Sequence, residues 1–200
     1  QVTMDGTPIA EIPLRAAAQE IGVMGQFHAV DFDFSVEEIA LMGRAPYKES
    51  FEEDTEEDLA LVRAALERVG MADAAERSFN ELSDGEQQRV MLARALTQEA
   101  ECMILDEPTN HLDIKYQLQI MDIVKGLDLT VVSAIHDLNI AALYCDRLIA
   151  IRKGRVVGLG TPRELLTEEF IHELYEVRAK VETAEDGRIY IRYLPQYLSD

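Results

Sequence analysis

Apolar residues follow two different patterns of spacing along the 200 residues of this chain. Short continuous apolar runs lie at 21–24, 102–105 and 129–134, and each leads into a polar stretch, which is typical of buried strands. Elsewhere apolar positions recur three and four residues apart. This spacing predicts amphipathic helices at 59–69, 84–96, 114–125 and 138–144.

Turn pairs and caps predict the remaining elements. Alternating apolar and polar residues around Asp-Gly or Lys-Gly pairs predict hairpins over 1–12, 147–159 and 177–194. Ser35 and Glu38 have the spacing of a capping box, in which each side chain binds the other residue's backbone N–H. We therefore expect one domain over residues 1–200, with a helical subdomain at about 35–98 inserted after the first apolar run.

The second apolar run ends in two adjacent carboxylates, Asp106 and Glu107. Only the C-terminal end of a parallel strand reaches the ligand crevice of an open α/β sheet. A purely structural role is a poor explanation, because two neighbouring acids repel each other without a cation. The run CMILDEP at 102–108 therefore predicts that acid is delivered to a phosphate and Mg²⁺ site.

Three further strings accompany this strand: LSDGEQQR at 82–89, NHLD at 110–113 and AIHD at 134–137. Together with CMILDEP, their order and spacing resemble the ATP-binding subunit of ABC transporters. LSDGEQQR is similar to that family's signature motif, with Asp84 in place of the commonest Gly and Glu86 in place of a frequent Gln. Ser83 and Gly85 are kept. A serine N-cap with no other role is the alternative for Ser83 taken alone.

The resemblance implies that the cofactors are ATP and Mg²⁺. Asp106 corresponds to the Walker B carboxylate that holds Mg²⁺ through water, and Glu107 to the general base that polarises the attacking water. His136 corresponds to the switch histidine at the γ-phosphate. Gln26 corresponds to the Q-loop glutamine, which senses the phosphate and reaches Mg²⁺, although Gly25 replaces the proline that often precedes it.

The same resemblance implies a nucleotide-sandwich homodimer. Ser83 and Gly85, flanked by Asp84 and Glu86, would meet the γ-phosphate of an ATP held by the second subunit. Asp113 would communicate across the dimer. The implied fold is α/β and P-loop NTPase-like, with a mainly parallel sheet, flanking helices, the helical subdomain and peripheral hairpins.

Residues 41–47, LMGRAPY, carry a narrower resemblance. They are similar to a stretch of the ATPases that serve importers of iron-siderophore, haem and vitamin B12 type. This implies an ATPase that works with transmembrane permease subunits and an upstream substrate-binding protein. Such a subunit would be cytoplasmic and peripheral at the inner face of the cell membrane.

The family's phosphate-binding string, GxxxxGK(S/T), does not occur in these residues. We therefore expect a cassette truncated at its N-terminus, without its P-loop strand and inactive alone. We further expect that strand to belong beside the strand that carries Asp106. Its loss would leave residues 102–105 and 130–134 to pair directly or to recruit another strand.

Composition excludes several other functions. A formal net charge of −19 argues against a nucleic acid partner, which needs a basic face. Cys102 and Cys145 have no framework spacing and are expected to be reduced thiols. No apolar run approaches the ~20 residues of a membrane span, and we expect no metal ligands among the scattered histidines.

Two rival functions stay open: a non-catalytic structural or interaction fragment, and a non-transport ABC ATPase.

Overall fold

The computed structural model describes residues 2–25, 33–49 and 52–195, and the chain forms two compact units, 1–134 and 135–200. The assignment of the whole chain to one domain stays a prediction. The described elements of the first unit are strands β1 (Thr3–Met4), β2 (Thr7–Pro8), β3 (Ile21–Met24), β4 (Cys102–Asp106) and β5 (Thr130–Ala134), and helices α1 (Leu14–Glu20), α2 (Val36–Leu41), α3 (Glu56–Arg68), α4 (Asp84–Leu96) and α5 (Ile114–Lys125).

The central sheet is parallel, with the order β3-β4-β5. β3 pairs with one edge of β4, from Ile21 opposite Cys102 to Met24 opposite Leu105. β5 pairs with the other edge, ending at Asp106 opposite Ala134. The place of the P-loop strand itself stays a prediction, but residues 102–105 and 130–134 pair directly, which is one of the outcomes expected without that strand. The reason is the β4-α5-β5 crossover, which places consecutive parallel strands side by side.

Helices α2, α3 and α4 pack against the sheet, and their description as an inserted subdomain stays a prediction. The core consists of fully buried side chains from α2, α3 and α4, which join buried residues of β3 and β4: Val36, Ile39, Val62, Leu66, Val90, Leu92, Met24, Met103 and Leu105. The capping box predicted at Ser35 and Glu38 is present, and a second one joins Thr55 to Asp58 at the start of α3.

Residues 42–47 of the LMGRAPY stretch form a 3₁₀ segment that follows α2 and contacts α3 and the end of α4. An added Cβ at Gly43 would overlap Arg94 O and Thr97 Oγ1 at the end of α4, so only glycine fits there. The buried guanidinium of Arg44 donates from Nε to Asp58 Oδ1 at 2.9 Å and from a terminal nitrogen to Thr97 O at 2.9 Å. The stretch is therefore a structural link within the subdomain.

The second unit contains the described elements α6 (Leu138–Tyr144), β6 (Leu148–Arg152), β7 (Arg155–Gly160), α7 (Pro162–Leu165), α8 (Glu168–Tyr175), β8 (Arg178–Thr183) and β9 (Ile189–Leu194). The two predicted hairpins are present as the antiparallel pairs β6-β7 and β8-β9. The predicted N-terminal hairpin ends earlier than expected, because residues after Pro8 turn into a 3₁₀ segment at Ile9–Glu11. Within the described ranges, no helix has the length and apolarity needed to cross a bilayer.

Candidate functional site

The C-terminal end of β4 carries both predicted carboxylates. Asp106 is the last residue of the strand and is exposed. Glu107 follows with a φ of 52°. This is the left-handed region of the backbone, which residues other than glycine adopt at a cost of about 1–3 kcal/mol. Asn110 Nδ2 donates to Glu107 Oε2 at 2.7 Å. The strand end thus presents one exposed carboxylate beside a second one whose orientation is fixed.

The loop between β4 and α5 is anchored at both ends. From α4, Gln88 Nε2 donates to Pro108 O at 3.3 Å. From α5, Gln117 Nε2 donates to Thr109 O at 3.3 Å and to Leu112 O at 2.9 Å. Asp113 is the exposed N-cap residue of α5. Asp106, Glu107 and Asp113 therefore lie on one short segment that is held against two helices.

Ser83 is the N-cap residue of α4, the helix that the signature-like motif begins. Its backbone N–H donates to Glu86 Oε2 at 2.9 Å, and its hydroxyl donates to the same oxygen at 2.7 Å. Arg77 donates to Glu86 Oε1 at 3.3 Å. The hydrogen bond from the Ser83 hydroxyl, then that from its N–H, then the charge of Arg77 lower the pKa of Glu86, although burial opposes the shift. The Ser83 hydroxyl thus points its proton at Glu86, and its contact with phosphate stays a prediction.

Gly85 is buried beneath the ring of Tyr116, the third residue of α5. An ideal Cβ at Gly85 would lie 2.9 Å from Cγ and 3.0 Å from Cδ1 of that ring. The guanidinium carbon of Arg89 lies 6.0 Å from the ring centroid. Asp84, between Ser83 and Gly85, is exposed. Sequence reasoning missed Tyr116, because its position on α5 gives no local sign of a contact with α4.

Two further predicted site residues do not belong to the described part of the first unit. Gln26 lies outside the described residues. His136 belongs to the second unit, where it is exposed and precedes α6. Asp137, the next residue, accepts hydrogen bonds on Oδ1 from the N–H groups of Asn139 and Ile140 at 2.7 and 3.1 Å.

The donor set at the end of β4 fits Mg²⁺ better than a tightly caged metal. Among the residues that the structure describes, no group of three or more His, Cys, Asp or Glu could hold an ion. Mg²⁺ keeps several waters and needs only one or two carboxylates when phosphates complete its shell. The exposed Asp106 meets that requirement, and any Mg²⁺ here would depend on a nucleotide for its other ligands.

Comparison with known proteins agrees with this geometry. The family model described as "ABC transporter" matches residues 1–110. The chain is 39% identical over 203 aligned residues to the cobalamin import ATP-binding protein BtuD of Halobacterium salinarum, which covers 99% of this chain and 50% of the relative. It is 34% identical over 184 residues to the ferric enterobactin transport ATP-binding protein FepC of Escherichia coli, covering 90% of this chain and 68% of the relative.

A solved structure shares the fold. A metal-chelate type ABC transporter in an inward-facing conformation superimposes with a TM-score of 0.83 at 26% identity, over 90% of this chain and 75% of that chain. The chain thus spans half the length of the Halobacterium relative and about two thirds of the E. coli one. These matches confirm the α/β, P-loop NTPase-like fold class, and the chain belongs to the ABC transporter ATP-binding family.

Proposed function

We propose that this chain is part of an ATP-hydrolysing subunit that energises import of an iron-siderophore, haem or corrinoid. The observation that carries the proposal is the end of β4, where Asp106 and the oriented carboxylate of Glu107 lie on a loop anchored to the signature helix α4. The relatives that import cobalamin and ferric enterobactin, together with the LMGRAPY stretch, support the substrate class.

In the proposed reaction, this chain mainly positions charge around a transferring phosphoryl group. Glu107 accepts a proton from the attacking water, and its hydrogen bond from Asn110 helps to hold the carboxylate in place. Asp106 would hold Mg²⁺ through water, and the cation would neutralise phosphate charge. His136 would contact the γ-phosphate, and Gln26 would sense it.

The partners proposed are a second copy of the subunit, permease subunits and an upstream substrate-binding protein. Ser83, Gly85 and Asp113 lie on turns that one dimer partner would present to the other's nucleotide. Docking on the permease would place the subunit at the inner face of the cell membrane. The net charge of −19 supports protein partners and argues against nucleic acid.

The decisive test is Glu107→Gln in a version of the chain extended by a phosphate-binding loop. The amide keeps the volume and the hydrogen bond but cannot take the proton, so ATP should still bind while kcat falls by about 100-fold or more. A trapped dimer in ATP, measured by light scattering, is the second expected result. Glu101→Gln, an exposed carboxyl at the other end of the same strand, is the matched control. Hydrolysis at the parent rate would refute the role of Glu107.

The 200 residues alone should bind nucleotide poorly. They contain no GxxxxGK(S/T) string, and such a loop supplies the lysine and the N–H groups that wrap the phosphates. Calorimetry with Mg-ATP should therefore detect no micromolar binding to this chain. Micromolar affinity would contradict the proposal that the loop must be added. Absence of hydrolysis after the loop is added would favour the rival function, a non-catalytic interaction fragment.

A further inference from the structure

The side chain of Asn139 pairs with the C-terminal hairpin as if it were a peptide group. Asn139 is the second residue of α6, three positions after His136. Its Nδ2 donates to Ile191 O at 3.1 Å, and Ile191 N donates to its Oδ1 at 2.8 Å. A primary amide has the same donor and acceptor as a backbone peptide, so it can satisfy both groups of an edge-strand residue at once. The amide therefore does for β9 what a neighbouring strand would do.

The two residues before Asn139 are fixed as well. Asp137 caps the start of α6, as described above, and Leu138 is buried in the core of the second unit with Ile171, Ala179 and Ile191. Burial, then the negative charge of Asp137, raises the pKa of Tyr193 on β9. His136 is thus an exposed residue followed by three consecutive anchored ones.

We propose that Asn139 is a positioning residue and that the β8-β9 hairpin, through it, fixes the loop that carries His136. This rests on the proposed function of His136 at the γ-phosphate and adds a structural part, the C-terminal hairpin, on which hydrolysis depends. If His136 must contact a phosphate oxygen, the rate of hydrolysis falls when its loop samples other positions. A misplacement of about 1 Å can lower a catalytic rate 100-fold.

The first test measures the clamp in the 200-residue chain. Asn139→Leu keeps the branched shape in a somewhat larger side chain and removes both hydrogen bonds, whereas Asn139→Asp keeps the acceptor for Ile191 N–H and loses the donor. Amide hydrogen exchange at 139–141 should speed up about tenfold in the leucine variant and less in the aspartate variant. Exchange at Glu182 of β8, which lies opposite Tyr190 in the hairpin, should stay slow, which separates local loosening from unfolding. Arg192→Gln, which breaks only an exposed ion pair on β9, is the control.

The second test measures catalysis in the chain extended by a phosphate-binding loop. Asn139→Leu should lower kcat about tenfold with an unchanged KM for ATP, with Asn139→Asp in between, because a positioning defect acts on the transition state. Unchanged exchange at 139–141 in the leucine variant would overturn the inference. The inference would also be overturned if Asn139→Leu had a normal kcat while His136→Ala was inactive. If His136→Ala hydrolyses ATP normally, the proposed function of His136 fails and takes the catalytic part of the inference with it.

Discussion

Among single residues, Asp58 shows how the subdomain stabilises a buried charge. Its carboxylate accepts hydrogen bonds from Arg44, from Lys48 and from both the N–H and the hydroxyl of Thr55. Burial acts to raise the pKa of Asp58, but hydrogen bonds from Thr55, Arg44 and Lys48 outweigh it and hold the pKa far below its ordinary 3.8. Breaking a buried pair on one side leaves an uncompensated charge.

Asp58→Asn should therefore lower the free energy of unfolding by about 3–5 kcal/mol at neutral pH. The folded carboxylate stays ionised where the unfolded one takes up a proton, so its stabilisation is complete above about pH 5 and is lost as pH falls through 3.8 and below. Urea unfolding at pH 7 and pH 3 should show the difference between parent and variant shrinking at the lower pH. A difference that grows toward low pH would contradict the depressed pKa. Glu56→Gln, exposed in the first turn of the same helix, serves as the control.

Gly43 makes a second prediction on this scale. Because a Cβ there would overlap the backbone carbonyl of Arg94, neither partner can move without shifting α4. Gly43→Ala should cost about 1–3 kcal/mol in urea unfolding. Gly25→Ala is the matched control, since no described residue comes within 4 Å of its added Cβ. Equal stability of the two variants would show that α4 does not approach Gly43 this closely.

Among secondary-structure elements, the contact between α4 and α5 joins the two segments for which we propose a role at the dimer interface. Gly85 in the first turn of α4 lies under Tyr116 in the first turn of α5. Asp113 begins α5, and Ser83 begins α4. If this contact is rigid, the first turn of α4, which Ser83 begins, and the first turn of α5, which Asp113 begins, move together.

A double-mutant cycle measures that rigidity. Gly85→Ala should destabilise the chain by about 1–3 kcal/mol, because its methyl group would lie against the Tyr116 ring. Tyr116→Ala removes the ring, so adding Gly85→Ala to that variant should cost much less than it costs alone. Tyr116→Phe keeps the ring and should leave the cost unchanged. Additive effects in thermal unfolding would show that the two residues do not interact.

For the whole molecule, charge is the dominant feature. The formal net charge is −19, and seven of the ten residues at 49–58 are acidic. Like charges at this density repel one another in the compact state. Salt weakens such repulsion, because the Debye length falls from about 10 Å at 0.1 M to about 3 Å at 1 M.

The free energy of unfolding should accordingly rise with KCl, by on the order of 1 kcal/mol between 0.1 and 1 M at pH 7. Chemical unfolding by urea, which adds no ionic strength, measures this directly. The same series near pH 4.5, the isoelectric point of the sequence, should show a much smaller salt effect. A stability that is independent of KCl at pH 7 would show that the exposed acids repel too weakly to matter.

The sequence by itself determined the features that depend on neighbouring residues. The predicted bounds of α5 and α6 coincide with the observed Ile114–Lys125 and Leu138–Tyr144, and the capping box at Ser35 forms as its spacing predicts. The two carboxylates lie at the end of β4 as the apolar run CMIL predicts. Helix caps and hydrophobic periodicity are set within a few residues along the chain, so a linear sequence displays them directly.

The tertiary structure alone decided which distant residues meet. It decided between the outcomes expected for β4 by placing β5 directly beside it, because the crossover through α5 brings the two together. It also placed Tyr116 on Gly85, and Asn139 on Ile191, 52 residues away. Contacts of this kind follow from the path of the chain and from which buried polar group needs a partner. No local sequence pattern predicts the path of the chain or the partner that a buried polar group finds.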